Sequence, residues 1–143
     1  MSRFLLDTNC ILEIVRLKPE PKVIAWMEAV DENQLYLSVL TLGEIRKGIA
    51  GLAQSKRRMH LEAWLEVELQ ARFSGRILFI DGAVANRWGL LSADAKRTGK
   101  TISIIDGLLA ATALHHDLTI VSRNISDFTP TRVAVLNPWE PQV

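Results

Sequence analysis

Five apolar runs, each too short for a helix, constrain this chain more than any other feature. They are Phe4-Leu5-Leu6, Leu35-Tyr36-Leu37-Ser38-Val39, Ile77-Leu78-Phe79-Ile80, Leu118-Thr119-Ile120-Val121 and Arg132-Val133-Ala134-Val135-Leu136. Short apolar runs bounded by polar or turn-forming residues read as buried strands. Between them, apolar residues recur at helical spacing: Ile11, Leu12, Ile14 and Val15, then Val23, Ile24, Trp26, Met27 and Val30, then Leu42, Ile45, Ile49 and Leu52. A longer stripe through Leu61, Trp64, Leu65 and Leu69 marks an amphipathic helix from Lys56 to about Phe73, and further helices cover Ala83 to Thr98 and Asp106 to His116. Strands separated by helices pair in parallel, because the helix carries the chain back to the same edge. The pattern predicts an α/β fold, a parallel sheet with helices on both faces and the last run as an edge strand.

No repeat, linker or low-complexity tract divides the 143 residues, 48% of them hydrophobic, so residues 1–137 are expected to form one domain with a sizeable core. The tail, 138–143, is the expected frayed end. A formal net charge of +1 excludes whole-domain basicity, so contact with a polyanion must come from local patches. The only cysteine, Cys10, cannot form an internal disulfide, which suits a reducing cytoplasm. Its place on the apolar face of a helix makes it a poor nucleophile. With no run of about 18 apolar residues and no signal pattern at the start, no membrane role is expected.

Several acids stand where strands end or helices begin. Asp7-Thr8-Asn9 interrupts the apolar residues directly after the first strand. One reading is a strand-to-helix turn with a side-chain cap; the other places Asp7 at the carboxyl end of a central strand, where open α/β sheets bind ligands. Asp106 lies in SIIDGLLAATAL, with Ser103-x-x-Asp106 resembling a capping box. Its apolar surroundings make a buried charge there costly unless a cation or donor meets it, which points to function. Glu44, in Thr41-x-x-Glu44, reads alone as a capping box with a surface pair to Lys47. The flanking Gly43 and Gly48 hint at a close backbone approach. In LTIVSRNISDF, Asn124 and Asp127 crowd a loop after the fourth strand, as an ordinary turn or as part of a site near Asp7. Taken together, isolated acids without a Cys/His cluster make an all-oxygen site, suited to Mg²⁺ or Mn²⁺ and not to zinc. His60, His115 and His116 read as exposed or helix-end residues. No nucleophile elbow, P-loop or dinucleotide fingerprint occurs.

The ordered set of motifs resembles PIN-domain ribonucleases, most closely the VapC-type toxins of bacterial type II toxin–antitoxin modules and their FitB-like subgroup. LLDTNCIL looks like the opening motif of that family, SVLTLGEIRKGI like the second, and ISIIDGLLAATALHHDLTIVSRNISDF like the third and fourth run together; VLNPW matches an ending common in the subgroup. The resemblance implies a three-layer α/β/α sandwich with a mainly parallel central sheet. It also implies Asp7 and Asp106 as principal Mg²⁺ ligands, with Mn²⁺ able to substitute, and Glu44 as a further acid. The fourth acid is Asp127 or is replaced by Asn124, and Thr8 and Asn9 support the turn. An asparagine contributes no charge, which leaves a second metal in doubt. The implied reaction is hydrolysis of an RNA phosphodiester by water activated at the metal.

Arg123 could steer a phosphate or cap a neighbouring carboxylate. Lys96, Arg97 and Lys100 read either as grips for the RNA backbone or as a solvated helix end, and the KRRMH run from Lys56 as a solvated helix start. The resemblance further implies a homodimer and a VapB-type antitoxin whose complex binds operator DNA. An antitoxin arginine inserted among Asp7, Glu44 and Asp106 would neutralise them. An amphipathic segment would lie along the helices bearing Leu42, Ile45, Ile49, Trp64 and Leu65, unless those residues are dimer interface or core. Two other readings stand beside this one. A HAD-like phosphohydrolase would need an aspartate where Asn9 stands, and a non-catalytic PIN-like module would bind protein only.

Overall fold

The computed structural model describes residues 2–141. Its strands are β1 (Phe4–Leu6), β2 (Leu35–Ser38), β3 (Ile77–Leu78), β4 (Thr119–Val121) and β5 (Val135–Leu136). They form one five-stranded sheet in the order β3-β2-β1-β4-β5. Every pairing is parallel, with Phe4 opposite both Leu35 and Thr119 and Leu6 opposite Val121. The helices are α1 (Thr8–Ile14), α2 (Pro21–Ala29), α3 (Val39–Ala50), α4 (Lys56–Ala63), α5 (Gln70–Arg72), α6 (Gly82–Arg97), α7 (Ile104–His116) and α8 (Ile125–Phe128). Between α4 and α5 the chain stays helical through a wider π turn, Trp64–Leu69, so the long amphipathic stripe is one continuous element in space.

Period-two alternation along the strands sends neighbouring side chains to opposite faces, and both faces are covered. Leu6, Leu35, Leu37 and Val121 pack with Ile11, Val23, Ile45, Ile49, Leu65, Leu69 and Phe73 on one side. Leu5 and Ile120 pack with Val84, Leu91, Leu109 and Phe128 on the other. Fully burying each such side chain stabilises the fold by about 1.5–3 kcal/mol. This settles the apolar residues of α3 and the π turn: Ile45, Ile49 and Leu65 are buried, and Leu42 and Trp64 pack against the same cluster. The three buried residues are core, and Leu42 and Trp64 stay partly exposed beside them.

Local chemistry also redraws some boundaries. The Ser38 hydroxyl accepts from Leu40 N–H at 3.1 Å, so Ser38 caps α3 and Val39 is helical instead of extended. Thr41 is therefore buried inside the helix, and the expected Thr41–Glu44 capping box does not form. Ser103 does cap α7, accepting from Asp106 N–H at 3.2 Å. The third and fifth strands pair over only two residues each. The tail is anchored beyond the expected boundary: Pro138 is buried, Trp139 packs against the α1-side core and its indole N–H donates to Glu13 Oε1 at 3.1 Å. Gln142 and Val143 lie outside the described residues.

Gly43 and Gly48 have open space where a Cβ would stand, so the close approach inferred for them is absent. It occurs at Gly107, where a Cβ would lie 2.9 Å from Trp88 Cδ1 and 3.0 Å from its Nε1. Gly107→Ala is therefore expected to cost about 1–3 kcal/mol in urea unfolding through overpacking. Gly43→Ala and Gly48→Ala should each gain about 0.5–1 kcal/mol by removing a helical glycine. A neutral Gly107→Ala would mean that α6 and α7 do not approach this closely.

Candidate active site

In a sheet ordered β3-β2-β1-β4-β5, successive strands are added to one side of β1 and then to the other. The reversal falls between β1 and β4, and crevices at the carboxyl ends of such strand pairs bind ligands. Asp7 follows β1 there and Ser122 follows β4. The Asp7 N–H donates to Val121 O at 2.9 Å, carrying the ladder one residue past the strand, while only 8% of the residue is exposed. Asp7 Oδ1 accepts from Thr8 N–H at 2.8 Å, which is the helix cap of the simpler reading. Its Oδ2 accepts from the Ser122 hydroxyl at 2.7 Å, which a cap does not require.

Ser122 is fully buried and was not singled out in the sequence. Its Oγ accepts from Asn124 N–H at 3.0 Å and from Asn9 Nδ2 at 3.3 Å. With both lone pairs occupied, its single proton is committed to Asp7. Asn9 completes the network by accepting Arg123 N–H at 3.4 Å. The only signal in the sequence is a small hydroxyl residue at the end of a strand, which becomes meaningful once β4 is known to pair with β1.

Thr8 ties the second acid to the first. Its hydroxyl donates to Glu44 Oε1 at 2.6 Å, while Glu44 and Lys47 do not pair; on the same helix Arg46 bonds Glu66 at 2.7 Å. Asp106 stands half-buried in the first turn of α7. Asp7 feels the charges of Glu44 and Asp106, and Asp106 feels those of Asp127 and Glu44. The structure thus brings Asp7, Glu44 and Asp106 to one place, with exposed Asp127 joining through Asp106. Asn124, at the start of α8, makes no side-chain cap. Burial raises the Asp7 carboxyl above its ordinary value; the bonds from Ser122 and Thr8 pull it down, and the neighbouring carboxylates push it up again. Burial likewise raises Asp106, opposed by Ser103 and reinforced by Asp127 and Glu44. Among the described residues, no Lys or Arg forms an ion pair with any of the four acids.

The basic residues are arranged differently from a simple clamp. Trp88 of α6 meets Gly107 of α7, and Asp81, capping α6, feels His115 and His116 at the end of α7. The two helices are therefore antiparallel, and Lys96, Arg97 and Lys100 lie at the end of α6 and in the connection to α7, with Arg97 and Lys100 lining a cleft with Thr129, Pro130, Thr131 and Arg132. Arg97 is paired with exposed Asp94. The Arg123 guanidinium lies over the Trp139 ring, 5.6 Å from its centroid, so it caps no carboxylate. Buried Cys10 has its thiol pushed up to about 12 by burial first and by Asp7 and Glu13 next, which makes it inert as a nucleophile.

The family model for the PIN domain matches residues 4–129, from β1 through α8, which carries Asp127. The chain belongs to the PIN-domain family. It is 41% identical over 135 residues to Toxin FitB of Neisseria gonorrhoeae, covering 94% of this chain and 97% of that relative. It is 38% identical over 136 residues to VapC ribonuclease Y4jK of Sinorhizobium fredii, covering 95% and 97%. A solved structure of FitAB bound to an IR36 DNA fragment superposes with a TM-score of 0.92 at 38% identity, covering 98% of each chain. Membership in this family replaces the phosphohydrolase reading. Among the described residues no helix is long and apolar enough to cross a membrane.

Because the folded state raises the Asp7 pKa, its ionised form is disfavoured on folding. The penalty is absent below the ordinary value of 3.8, develops as pH rises from there to the raised value and is complete above it. Asp7→Asn should therefore raise the melting temperature at pH 7 and lose that gain towards pH 3; a uniform fall at both would make Asp7 a structural cap. Ser122→Ala is expected to cost about 1–3 kcal/mol by leaving a buried acceptor unpaired. It should also move the Asp7 titration, followed by carboxyl ¹³C NMR, to higher pH.

Proposed function

We propose that this protein is a Mg²⁺-dependent endoribonuclease, the toxin of a type II toxin–antitoxin module. One observation carries the reading: four acids gather at the switch point of a parallel sheet with hydrogen-bond donors around them and, among the described residues, no cation paired to them. The near full-length identity to Toxin FitB and to a VapC ribonuclease supports it.

The donor set fits Mg²⁺. All candidate ligands are hard oxygens, and among the described residues no three His, Cys, Asp or Glu side chains stand together as a group that could hold a metal ion by themselves. Mg²⁺ keeps several waters and is held by one or two carboxylates together with substrate phosphate. Asp7 and Asp106 would hold the ion, and Mn²⁺ fits the same oxygens. When bound, the ion lowers the pKa of water and neutralises charge on the phosphoryl oxygens.

Around it, Ser122 and the Thr8 N–H fix both Asp7 oxygens, and Thr8 holds Glu44 in register. Glu44, with one oxygen free of Thr8, accepts a proton from the attacking water. The water oxygen bonds to phosphorus in line, the P–O bond to one ribose breaks and that ribose oxygen takes up a proton. Asp127 adds negative charge on the open side and Asn124 a neutral amide. Lys96, Arg97 and Lys100, at the end of α6 and in the connection to α7, contact the RNA backbone. Residues 1–137 act as the catalytic domain, as a homodimer in the cytoplasm, and a VapB-type antitoxin blocks the acids. The FitAB–DNA structure supports operator binding by that complex.

Brief expression followed by sequencing of RNA ends tests this, with Asp7→Ala and Asp106→Ala as controls expected to reduce cleavage to background. Isothermal titration should find one Mg²⁺ or Mn²⁺ site of useful affinity, because Asn124 supplies no charge for a second. Thr8→Val, which frees Glu44, should weaken that affinity about 10- to 100-fold. Unchanged RNA ends with active, folded protein would remove the ribonuclease reading.

A further inference from the structure

A second site lies at the other end of α1. Glu13, Arg16, Lys18, Glu20, Arg123 and Trp139 line a cleft of about 310 Å³ between the end of that helix and the segment after β5. Resting on the ribonuclease reading above, we infer that this cleft binds one backbone phosphate of the RNA strand, next to the phosphate being cleaved.

The cleft's carboxylates face inward and its cations do not. Glu13 is 1% exposed, and its Oε1 accepts both the Trp139 indole N–H at 3.1 Å and Arg16 Nη1 at 3.3 Å. Glu20 turns back onto Lys22 N–H at 3.4 Å. Arg123 and Lys18, among the described residues, have no ion-pair partner. The Arg123 guanidinium lies over the indole, 5.6 Å from its centroid, and that indole donates to Glu13. A guanidinium packed on an aromatic ring has less freedom left to lose when it meets an anion.

Position ties the cleft to the acids. Arg123 directly follows Ser122, the donor to Asp7, so their Cα atoms stand about 3.8 Å apart, and the Arg123 N–H is bonded to Asn9. In the proposed mode a strand whose scissile phosphate meets Asp7 continues towards this guanidinium. Five of the eight residues that line the cleft are charged, the others being Pro19, Pro21 and Trp139, which gives a protein segment little apolar surface to bury. Arg123 also covers the indole face, so a base has no platform for stacking. Contact is thus to the backbone, independent of sequence.

The test measures binding and not cleavage. In the Asp106→Asn background, affinity for a fluorescein-labelled single-stranded RNA is followed by anisotropy across a salt series. Arg123→Ala and Lys18→Ala should each weaken binding several-fold and flatten the log–log salt slope by about 0.7. Trp139→Leu should weaken binding while keeping the slope, since the charge remains but loses its shelf. Arg46→Ala, paired with Glu66, serves as the surface control. If Trp139→Leu lowers the melting temperature, the two exposed-cation variants carry the result alone. Unchanged affinity and slope in both, with the parent still binding RNA, overturns the subsite but leaves the ribonuclease reading intact. Loss of antitoxin binding without loss of RNA binding also overturns it, in favour of a protein-contact surface. Saturation by inorganic phosphate that leaves RNA affinity untouched shows a small-anion site and overturns it too. A parent that binds no RNA removes both readings.

Discussion

The hydrogen bond from Ser122 to Asp7 joins the ends of β1 and β4, and the geometry of the site depends on it. Both partners lie one residue beyond their strands, at the seam where the sheet reverses its order. A carboxylate buried at such a place is unstable without donors, and the chain supplies neutral ones: a backbone N–H on one oxygen and a saturated hydroxyl on the other. Neutral donors hold the carboxylate in place without cancelling its charge.

That choice decides the electrostatics. Glu44 is held by the Thr8 hydroxyl and Asp106 by the cap of its own helix, again without cations. The acids therefore repel one another, and burial first, with this repulsion adding to it, raises the Asp7 and Asp106 carboxyls above their ordinary value. The core on both sheet faces supplies the stability that offsets this repulsion. A cation brought among these carboxylates would relieve it.

The first helix separates two opposite treatments of a buried acid. At its start Asp7 keeps its charge, surrounded by like charges. Near its end Glu13 accepts from Arg16 and the Trp139 indole through one oxygen, while its other oxygen is buried without a partner. Less than two helical turns separate these two buried acids.

Much of this was legible in the residues. Short apolar runs between helical stripes dictate a parallel sheet, because period and length are local properties. Asp7 and Asp106 stood out because charge next to apolar neighbours needs a reason, and Ser103 was readable as a cap because capping acts over three residues. Strand order was not local. It places Ser122 against Asp7 and makes a plain strand-end serine a positioning group. Glu44 looked like a capping-box member until Ser38 took the cap, leaving Glu44 to Thr8, thirty-six positions earlier. Gly43 and Gly48 were read as crowded, yet only packing of α6 on α7 could show that Gly107 is the crowded one. Arg16, Arg123 and Trp139 meet only because β5 runs beside β4 and returns the tail to α1. The sequence alone determined which elements form and which charges are hard to bury; tertiary structure decided which charges face one another, because that depends on contacts between residues far apart in the chain.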